Sequence, residues 1–396
     1  MSLRAVTVPL RSAIDLNDVA AGDGYLFVRD GVGVAARGIA ARVSDADVAE
    51  VLRAVDHVDE VGGCPPVAIG SIPFEPGRPG SMIIPALLVG KAADGRRWVT
   101  RIEGGIDAVP ELVASPRPPP RAQSFSVAPI TPLTRYLSAV TAARDAVRAG
   151  TLAKAVIARE VRVSSDEAID VHAVLLRLRA SFGSSFRYSI DGFIGASPEL
   201  LVEVHGSVVR SHPLAGTAPR TGDPATDAGV AAELLASDKN QIEHRVVIDM
   251  IHDTLLPWCS YLDWEPEPSI MAVANVQHLR TTMEGHLSEP RPSVLQLVRA
   301  LSPTPALGGA PRTEALQLIA DAEGFQRGRY GGAVGTVDAA GNGTWAVAIR
   351  CAEFSADRRS ARLVAGGGIV ADSEPLAELA ETQAKFQAML SAIIRP

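Results

Sequence analysis

Residues 237–250 read Ser-Asp-Lys-Asn-Gln-Ile-Glu-His-Arg-Val-Val-Ile-Asp-Met, and the rest of the chain can be related to this segment. Its apolar side chains recur at helical spacing, so the sequence predicts an α-helix with one buried stripe. Glu243 precedes Val246 by three residues and Val247 by four, which places its carboxylate on that stripe. Burying a lone carboxylate is costly, so a cation, a metal ion or a proton must compensate it. An ion pair with an arginine is the ordinary solution.

The composition is that of a soluble protein with room for a large core. The chain has 396 residues, of which 47% are hydrophobic, enough for one large domain or two closely packed halves. A net charge of −7 with both signs dispersed argues against nucleic-acid binding. Cys64, Cys259 and Cys351 are far apart, which argues against disulfides and a cysteine zinc site and favours a reducing compartment.

The sequence predicts a cytoplasmic protein. Its start lacks the apolar run of a signal peptide, and no run of about 18 apolar residues could cross a membrane. Residues 115–121, Ser-Pro-Arg-Pro-Pro-Pro-Arg, form the only proline-rich run, which favours an exposed connector. We therefore expect the chain to have no membrane or nucleic-acid partner and to be a monomer or a weak dimer.

A lysine occupies an unusual position in a predicted strand. Residues 154–159 read Lys-Ala-Val-Ile-Ala-Arg. The alternation of a strand places Lys154 on the same side as Val156 and Ala158. A lysine in line with small apolar residues is unexpected, although a lysine at the end of a strand can also reach water.

Two C-terminal segments carry charged side chains beside small residues. A predicted hairpin of residues 330–337 and 344–354 places Arg350 on a face with alanines, near the glycines 366–368. An arginine there offers a planar fork to a carboxylate, and glycines let a ligand approach the backbone. The last predicted helix, residues 375–394, carries Glu381 and Lys385 at the i, i+4 spacing of an ordinary salt bridge. Glu381 is thus a second carboxylate that could join Glu243.

Several motifs together resemble those of the chorismate-utilising enzymes, and they occur in the order found in that family. Residues 27–38 and 70–76 also resemble the isochorismate synthase branch. The motifs are LAKAVIAR at 152–159, GASPELL at 195–201, PLAGT at 213–217, DKNQIEH at 238–244, PTPA at 303–306, IRCA at 349–352, GGGIVADS at 366–373 and the final Glu381-Thr382.

The resemblance implies an α+β fold in which two large, mainly antiparallel β-sheets pack as a sandwich with helices outside. It covers residues 131–391, which we take as the catalytic core. Residues 1–121 would form the N-terminal part of the sandwich, ending in the proline-rich connector. The whole chain, residues 1–396, is then a single chorismate-binding domain.

The resemblance also assigns roles to particular residues. Glu243 and Glu381 match carboxylates that bind Mg²⁺, an ion that typically takes one or two protein carboxylates and fills its shell with water and substrate oxygens. Lys154 matches the base that activates water for attack at C2 of chorismate, and Glu199 matches the acid that protonates the departing C4 hydroxyl. These roles require the pKa of the lysine to fall and that of the glutamate to rise toward neutrality. Arg350 and Lys385 match carboxylate binders, and the other substrate-contacting positions are Gly216, Thr217, Ala306, Tyr330 and Gly366.

Two positions indicate the branch of the family. Anthranilate and aminodeoxychorismate synthases, which use ammonia, generally carry an amide side chain where this chain has Lys154. Those enzymes and salicylate synthases usually have threonine at the position of Ala306, which is associated with loss of pyruvate. Lys154 with Ala306 therefore implies attack by water and retention of the enolpyruvyl group. One position departs from the pattern, since Ser302 stands where most of the family has histidine.

The resemblance thus leads to a Mg²⁺-dependent isochorismate synthase, an isomerase that needs no redox cofactor. One alternative is a salicylate synthase, which adds pyruvate lyase activity. The other is a chorismate-binding protein with little turnover, an alternative motivated by Ser302. The sequence does not choose between menaquinone and siderophore synthesis as the destination of the product.

Overall fold

The protein is built mainly from β-strands, and helices lie at the ends or along the faces of the strands. The computed structural model describes residues 3–112, 123–273 and 276–395. The predicted connector at residues 115–121 falls outside these ranges. Within them, no helix is both long and apolar enough to cross a membrane.

The described residues contain nine α-helices and one short 3₁₀ helix at Leu256–Trp258. The α-helices are α1 (Leu16–Ala20), α2 (Val48–Arg53), α3 (Leu133–Arg148), α4 (Val171–Ser181), α5 (Pro224–Ala236), α6 (Asp238–Leu255), α7 (Val294–Leu301), α8 (Arg312–Glu323) and α9 (Pro375–Ile394).

The described strands number 23. Those before α5 are β1 (Arg4–Pro9), β2 (Tyr25–Arg29), β3 (Val32–Ser44), β4 (Asp56–Asp59), β5 (Val67–Ile72), β6 (Ser81–Lys91), β7 (Arg97–Glu103), β8 (Phe125–Pro129), β9 (Lys154–Ser165), β10 (Phe186–Ile190), β11 (Phe193–Ser197), β12 (Leu200–His205), β13 (Val208–His212) and β14 (Leu214–Pro219). Those after α6 are β15 (Cys259–Trp264), β16 (Ser269–Val273), β17 (Val276–Arg280), β18 (Met283–Leu287), β19 (Gly309–Ala310), β20 (Ala333–Asp338), β21 (Gly343–Val347), β22 (Cys351–Phe354) and β23 (Ser360–Ile369).

Antiparallel pairing dominates, and this confirms the predicted α+β fold class. Among the described residues, 20 strands are linked by hydrogen bonds into one network, while β14, β17 and β16 form a separate sheet. The pairing of β1 with β4 is parallel, whereas the ladders that carry the C-terminal motifs are antiparallel. The large sheets are therefore joined to each other by strand-to-strand hydrogen bonds.

Buried apolar side chains form two clusters on the faces of the strands. One cluster includes Ile69, Val298 and Trp345 and is covered by α3, α6, α7 and α8. The other includes Leu175 and Met389 and is covered by α1, α4 and α9. The helices therefore lie outside the strands, as expected from the resemblance.

One long ladder sets the positions of the C-terminal motifs. Strands β9 and β23 pair over ten consecutive positions, from Ser164 with Ser360 to Ala155 with Ile369. Helix α9 has the predicted bounds, and α6 begins after Ser237, whose hydroxyl accepts from the Asn240 amide. The start of β9, the end of β23 and these two helices are thereby brought together.

The predicted second strand of the C-terminal hairpin is wrong in one respect. Instead of running from 344 to 354, it breaks after Val347 and resumes at Cys351. The reason is local hydrogen bonding, because Ala348 donates to the Gly332 carbonyl and accepts from the Gly331 amide, each at 2.8 Å. Arg350 then adopts a left-handed conformation with φ of 51°. Simple alternation from Ala346 therefore does not determine where Arg350 points.

Candidate active site

One cavity collects the residues that the family motifs suggested. It has a volume of about 170 Å³ and lies between β9, β14, β23, α6 and α9. All eleven predicted site residues line it. They are Lys154, Glu199, Gly216, Thr217, Glu243, Ala306, Tyr330, Arg350, Gly366, Glu381 and Lys385.

Lys154 and Glu243, the two unusual residues of the sequence, are partners. Their Nζ and Oε1 atoms are 2.8 Å apart, and the lysine side chain is 1% exposed. The expectation that a strand-end lysine would reach water is therefore wrong, and Glu243 is paired with a lysine instead of an arginine. A methyl group on Gly368 would collide with Glu243 Oε1 and Lys154 Cε. The glycine in β23 thus makes room for this ion pair.

Glu381 and Lys385 form the expected i, i+4 pair, but the pair faces the cavity. Lys385 Nζ lies 2.6 Å from Glu381 Oε1, and it also donates to the Gly366 carbonyl at 2.8 Å. The lysine side chain is 12% exposed. The pair therefore links α9 to the glycine end of β23 at the cavity wall.

Glu199 lies at the junction of β11 and β12 and is buried. Burial raises the pKa of its carboxyl to about 8, although the Leu214 amide and the nearby Lys154, Arg350 and Lys385 act in the opposite direction. A carboxyl with this pKa keeps its proton at neutral pH. Glu199 can therefore donate a proton to a group in the cavity.

The structure adds His278, which the sequence argument missed. Arg350 Nη2 lies 3.2 Å from His278 Nε2, and because arginine can only donate, the imidazole accepts there. His278 Nδ1 then donates to the Gly216 carbonyl at 3.1 Å. Burial, together with Arg350 and Lys385, lowers the pKa of His278 to about 3, so the ring is neutral. His278 fixes the guanidinium of Arg350, which the break between β21 and β22 brings to the cavity.

A fourth acidic residue of the cavity, Glu378, was also missed. It lies one helical turn before Glu381 and is buried. Ser373 donates to its Oε1 at 2.8 Å, while Oε2 has no hydrogen-bond partner. Burial and the neighbouring Glu381 raise its pKa to about 7. Its i−3 spacing from Glu381 was the one sequence signal available.

Carboxylates of the cavity suit a hard divalent cation. Glu243 and Glu381 line the same space, and Mg²⁺ needs only one or two protein carboxylates besides water and substrate oxygens. The unpartnered Oε2 of Glu378 is a further oxygen acceptor. Within the described residues, no group of three or more Asp, Glu, His or Cys is arranged to hold a metal. An ion held by two of these carboxylates would take its other ligands from water and substrate.

Ser302, where this chain departs from the family, does not line the cavity. It follows α7, and its carbonyl accepts a hydrogen bond from Arg312 Nη2. Its side chain is buried. The departure therefore lies outside the residues that line the cavity.

Several known proteins similar to this chain carry the name isochorismate synthase. The model of the chorismate binding enzyme family matches residues 78–394. A Mycobacterium tuberculosis protein provisionally named isochorismate synthase MenF is 38% identical over 372 residues, or 90% of this chain and 92% of that protein. Isochorismate synthase DhbC of Bacillus subtilis is 34% identical over 357 residues, or 87% and 84% of the two chains. The structure of MenF from Escherichia coli, a menaquinone-specific isochorismate synthase, matches with a TM-score of 0.87 at 24% identity, over 99% of this chain and 95% of that one.

Proposed function

This chain belongs to the chorismate-binding enzymes, in the isochorismate synthase branch, and on that premise we propose that it converts chorismate to isochorismate. Lys154 is the base, Glu199 is the acid, and Mg²⁺ is the cofactor. The observation that carries the proposal is that a buried Glu199 lines the same cavity as a buried Lys154, and burial raises the pKa of this glutamate to about 8.

The reaction exchanges one hydroxyl for another on the substrate ring. Lys154, in its amine form, takes a proton from water as the water oxygen bonds to C2. The ring double bonds shift, the C4–O bond breaks, and Glu199 gives its proton to the departing hydroxyl, which leaves as water. One water enters and one leaves, so the net change is an isomerisation. Proton transfer between the two side chains and solvent then restores the enzyme.

Arg350 and Lys385 bind the carboxylates of chorismate in this proposal. Both line the cavity, and each is already held in position by a hydrogen bond within the protein. His278 accepts from Arg350, and the Gly366 carbonyl accepts from Lys385. Arginine held in this way can present its remaining donors as a planar fork.

Glu243 and Glu381 are the residues that would hold Mg²⁺. Two observations support this assignment: both side chains offer oxygen donors, and both line the same cavity. When bound, the ion would supply positive charge that orients the ring carboxylate and offsets its charge. Lys154 and Lys385 each hold one of these carboxylates in position.

Attack by water and retention of the enolpyruvyl group rest on Lys154 and Ala306. Both line the cavity, and Ala306 has no hydroxyl with which to interact with the substrate. This favours isochorismate over salicylate as the product. The relatives described above, whose names give isochorismate synthase activity (provisionally for one of them), support the same choice.

A product assay tests the proposal. The protein is incubated with chorismate and Mg²⁺, and the products are separated by chromatography. We expect isochorismate to accumulate until it reaches equilibrium with chorismate. Salicylate with pyruvate would indicate the lyase alternative. Calorimetric binding of chorismate without any product would indicate a binding protein instead.

A further inference from the structure

A second cleft lies apart from the candidate active site. Its volume is about 620 Å³, and it shares no lining residue with the first cavity. It is built by the start of α1, the β2–β3 turn, the β6–β7 hairpin and the connection from α4 to β10. A cleft of this size can hold a small metabolite. Its charged lining residues are Asp15, Asp30, Lys91, Arg97, Arg179 and Arg187.

Positive charge is in excess in this cleft, although the chain as a whole carries −7. Four cations and two carboxylates line it, which leaves a net charge of +2. Both carboxylates already have partners, because Asp15 pairs with Arg179 and Asp30 lies 3.7 Å from Arg29 Nε. Over the ranges that the structure describes, the other three cations form no ion pair.

Two of those cations directly oppose each other. Lys91 at the end of β6 pairs in register with Arg97 at the start of β7. Like charges directly opposite on an antiparallel pair are destabilising. This arrangement costs free energy in the protein alone and becomes favourable when an anion lies between or beside the two side chains.

Lysine is a rare residue in this chain, and its placement is selective. Of the 38 basic residues, only Lys91, Lys154, Lys239 and Lys385 are lysines. The last three line the candidate active site, and the remaining one, Lys91, lines the second cleft. Every lysine of the chain therefore lines one of these two cavities.

Arg187 on β10 is the buried cation of the cleft, at 2% exposure. Its Nη1 donates to Asn17 Oδ1 at 2.9 Å, but its Nε is buried without a hydrogen-bond partner. Burial, and to a lesser extent Arg179, lowers the pKa of Arg187 to about 10, while Asp30 acts in the opposite direction. A buried guanidinium that no carboxylate contacts directly is energetically costly. An anion in the cleft would supply the missing countercharge.

We propose that this cleft binds a small organic anion that carries two negative charges, as carboxylate or phosphate groups. The net charge of the lining sets the charge of the ligand, and arginine forks suit both kinds of group. The proposal is independent of the reaction assigned to the first cavity.

Calorimetric titration with two probes, malonate and inorganic phosphate, tests this in metal-free buffer of low ionic strength. The test variant is Lys91→Gln with Arg97→Gln, both at partly exposed positions that can tolerate the change. The matched control is Arg101→Gln, an exposed arginine on the same strand β7 that lies outside the cleft. A second control, Arg350→Gln, disables anion binding in the first cavity. Circular dichroism verifies that each variant is folded.

We expect at least one probe to bind the parent, and the probe that binds identifies the chemical class of the ligand. Affinity should fall roughly 10-fold or more in the double variant, since it loses two cations that can donate charge-assisted hydrogen bonds to the anion. It should persist in both controls. The proposal is overturned if neither probe binds the parent, if Arg101→Gln weakens binding equally, or if only Arg350→Gln abolishes it.

Discussion

Glu199 and Lys154 face the same cavity from different surroundings. Glu199 has no ion-pair partner within the described part of the chain, and burial dominates its pKa. Lys154 is as deeply buried, but its ammonium group contacts Glu243 at 2.8 Å. Desolvation therefore keeps the proton on Glu199, whereas Lys154 has a carboxylate in direct contact.

The first prediction concerns the acid. Glu199→Gln should lower turnover by roughly 10²-fold or more, because the amide cannot give up a proton. In the parent, kcat/KM should fall on the alkaline side near pH 8, where Glu199 ionises. Initial rates measured across pH check both. A parent rate that is unchanged well above pH 8 would contradict the assignment of Glu199 as the acid.

The same substitution should change stability in a pH-dependent manner. The pKa of Glu199 rises from its ordinary 4.5 to about 8 on folding. The folded protein therefore holds a proton that the unfolded chain loses, and this contribution to stability is present below pH 4.5 and lost as pH rises to 8. Because glutamine cannot ionise, the free energy of unfolding of the variant should increase relative to that of the parent as the pH rises, by up to a few kcal/mol. Thermal unfolding at pH 5 and pH 8 measures the difference, which should be larger at pH 8.

The second prediction concerns the base. Lys154→Ala should reduce isochorismate formation by roughly 10²-fold or more, while chorismate still binds through Arg350 and Lys385. Single-turnover product analysis and calorimetric binding separate these two effects. Turnover at the parent rate would remove the main support for water activation by Lys154 and hence for isochorismate over the aminated products.

At the scale of single residues, the motifs correctly predicted which residues line the cavity, because each motif places its functional residue in a short, regular element. His278 and Glu378 escaped for different physical reasons. His278 owes its significance to Arg350, a partner 72 residues away, and nothing in residues 276–280 indicates that partner. Glu378 could have been found from its helical spacing to Glu381, but a second glutamate on a helix is more often solvent-exposed.

Strand β23 is the element that the site depends on most closely. Its glycines let the side chains of neighbouring elements lie against the backbone. At Gly367 a Cβ would approach Glu378 Oε2 to 2.6 Å, and at Gly368 it would meet the Lys154–Glu243 pair. Small residues here are therefore a requirement of the carboxylates that pack on the strand.

The third prediction follows from this packing. Gly368→Ala should displace Lys154 and Glu243, lower kcat about 10-fold or more, and cost roughly 1–3 kcal/mol of stability through overpacking. Gly229→Ala is the matched control, because its Cβ would meet nothing within 4 Å and alanine favours the interior of α5. Steady-state kinetics and thermal unfolding of both variants provide the check. Equal activity in the two variants would contradict the packing argument.

At the scale of elements, regular segments were predictable and the irregular one was not. Helix α9 has the predicted bounds because its apolar spacing and its proline start are local signals. The break between β21 and β22 arises from hydrogen bonds of Ala348 to Gly331 and Gly332, in the turn that precedes β20. Alternation of side chains cannot reveal such a contact, and so the conformation of Arg350 was missed.

For the whole molecule, folding and metal binding should be separable. The two apolar clusters involve nearly every helix and strand, whereas the proposed metal ligands are two side chains at one cavity. The fold should therefore persist without the ion, since most stability comes from buried apolar surface.

The fourth prediction tests this separation. Treatment with a chelator should abolish turnover and leave the circular dichroism spectrum unchanged. Mg²⁺ should raise the unfolding temperature of the parent by mass action, but it should not do so in Glu243→Gln, which should also be inactive. Glu233→Gln, an exposed glutamate on the neighbouring helix α5, serves as the control and should behave as the parent does. Full turnover of the parent in chelator would contradict the metal assignment.

The fold class of the whole chain was predictable because the order of the motifs is specific to one family. The second cleft was not predictable, because Arg187 on β10 is distant in sequence from the β6–β7 hairpin that carries Lys91 and Arg97, and none of the three belongs to a motif. Only the register of β6 with β7 reveals that two of these charges oppose each other.

The ten-pair ladder of β9 and β23 also limits how the length of this protein can change in evolution or in engineering. Side chains alternate between faces, so inserting or deleting one residue between 155 and 164 or between 360 and 369 would turn the following side chains to the opposite face. Loops such as residues 339–342 and 355–359, which connect strands without entering the ladder, are free of that constraint. Length variation among natural homologues and tolerated peptide insertions should therefore concentrate in those loops and be absent from the ladder.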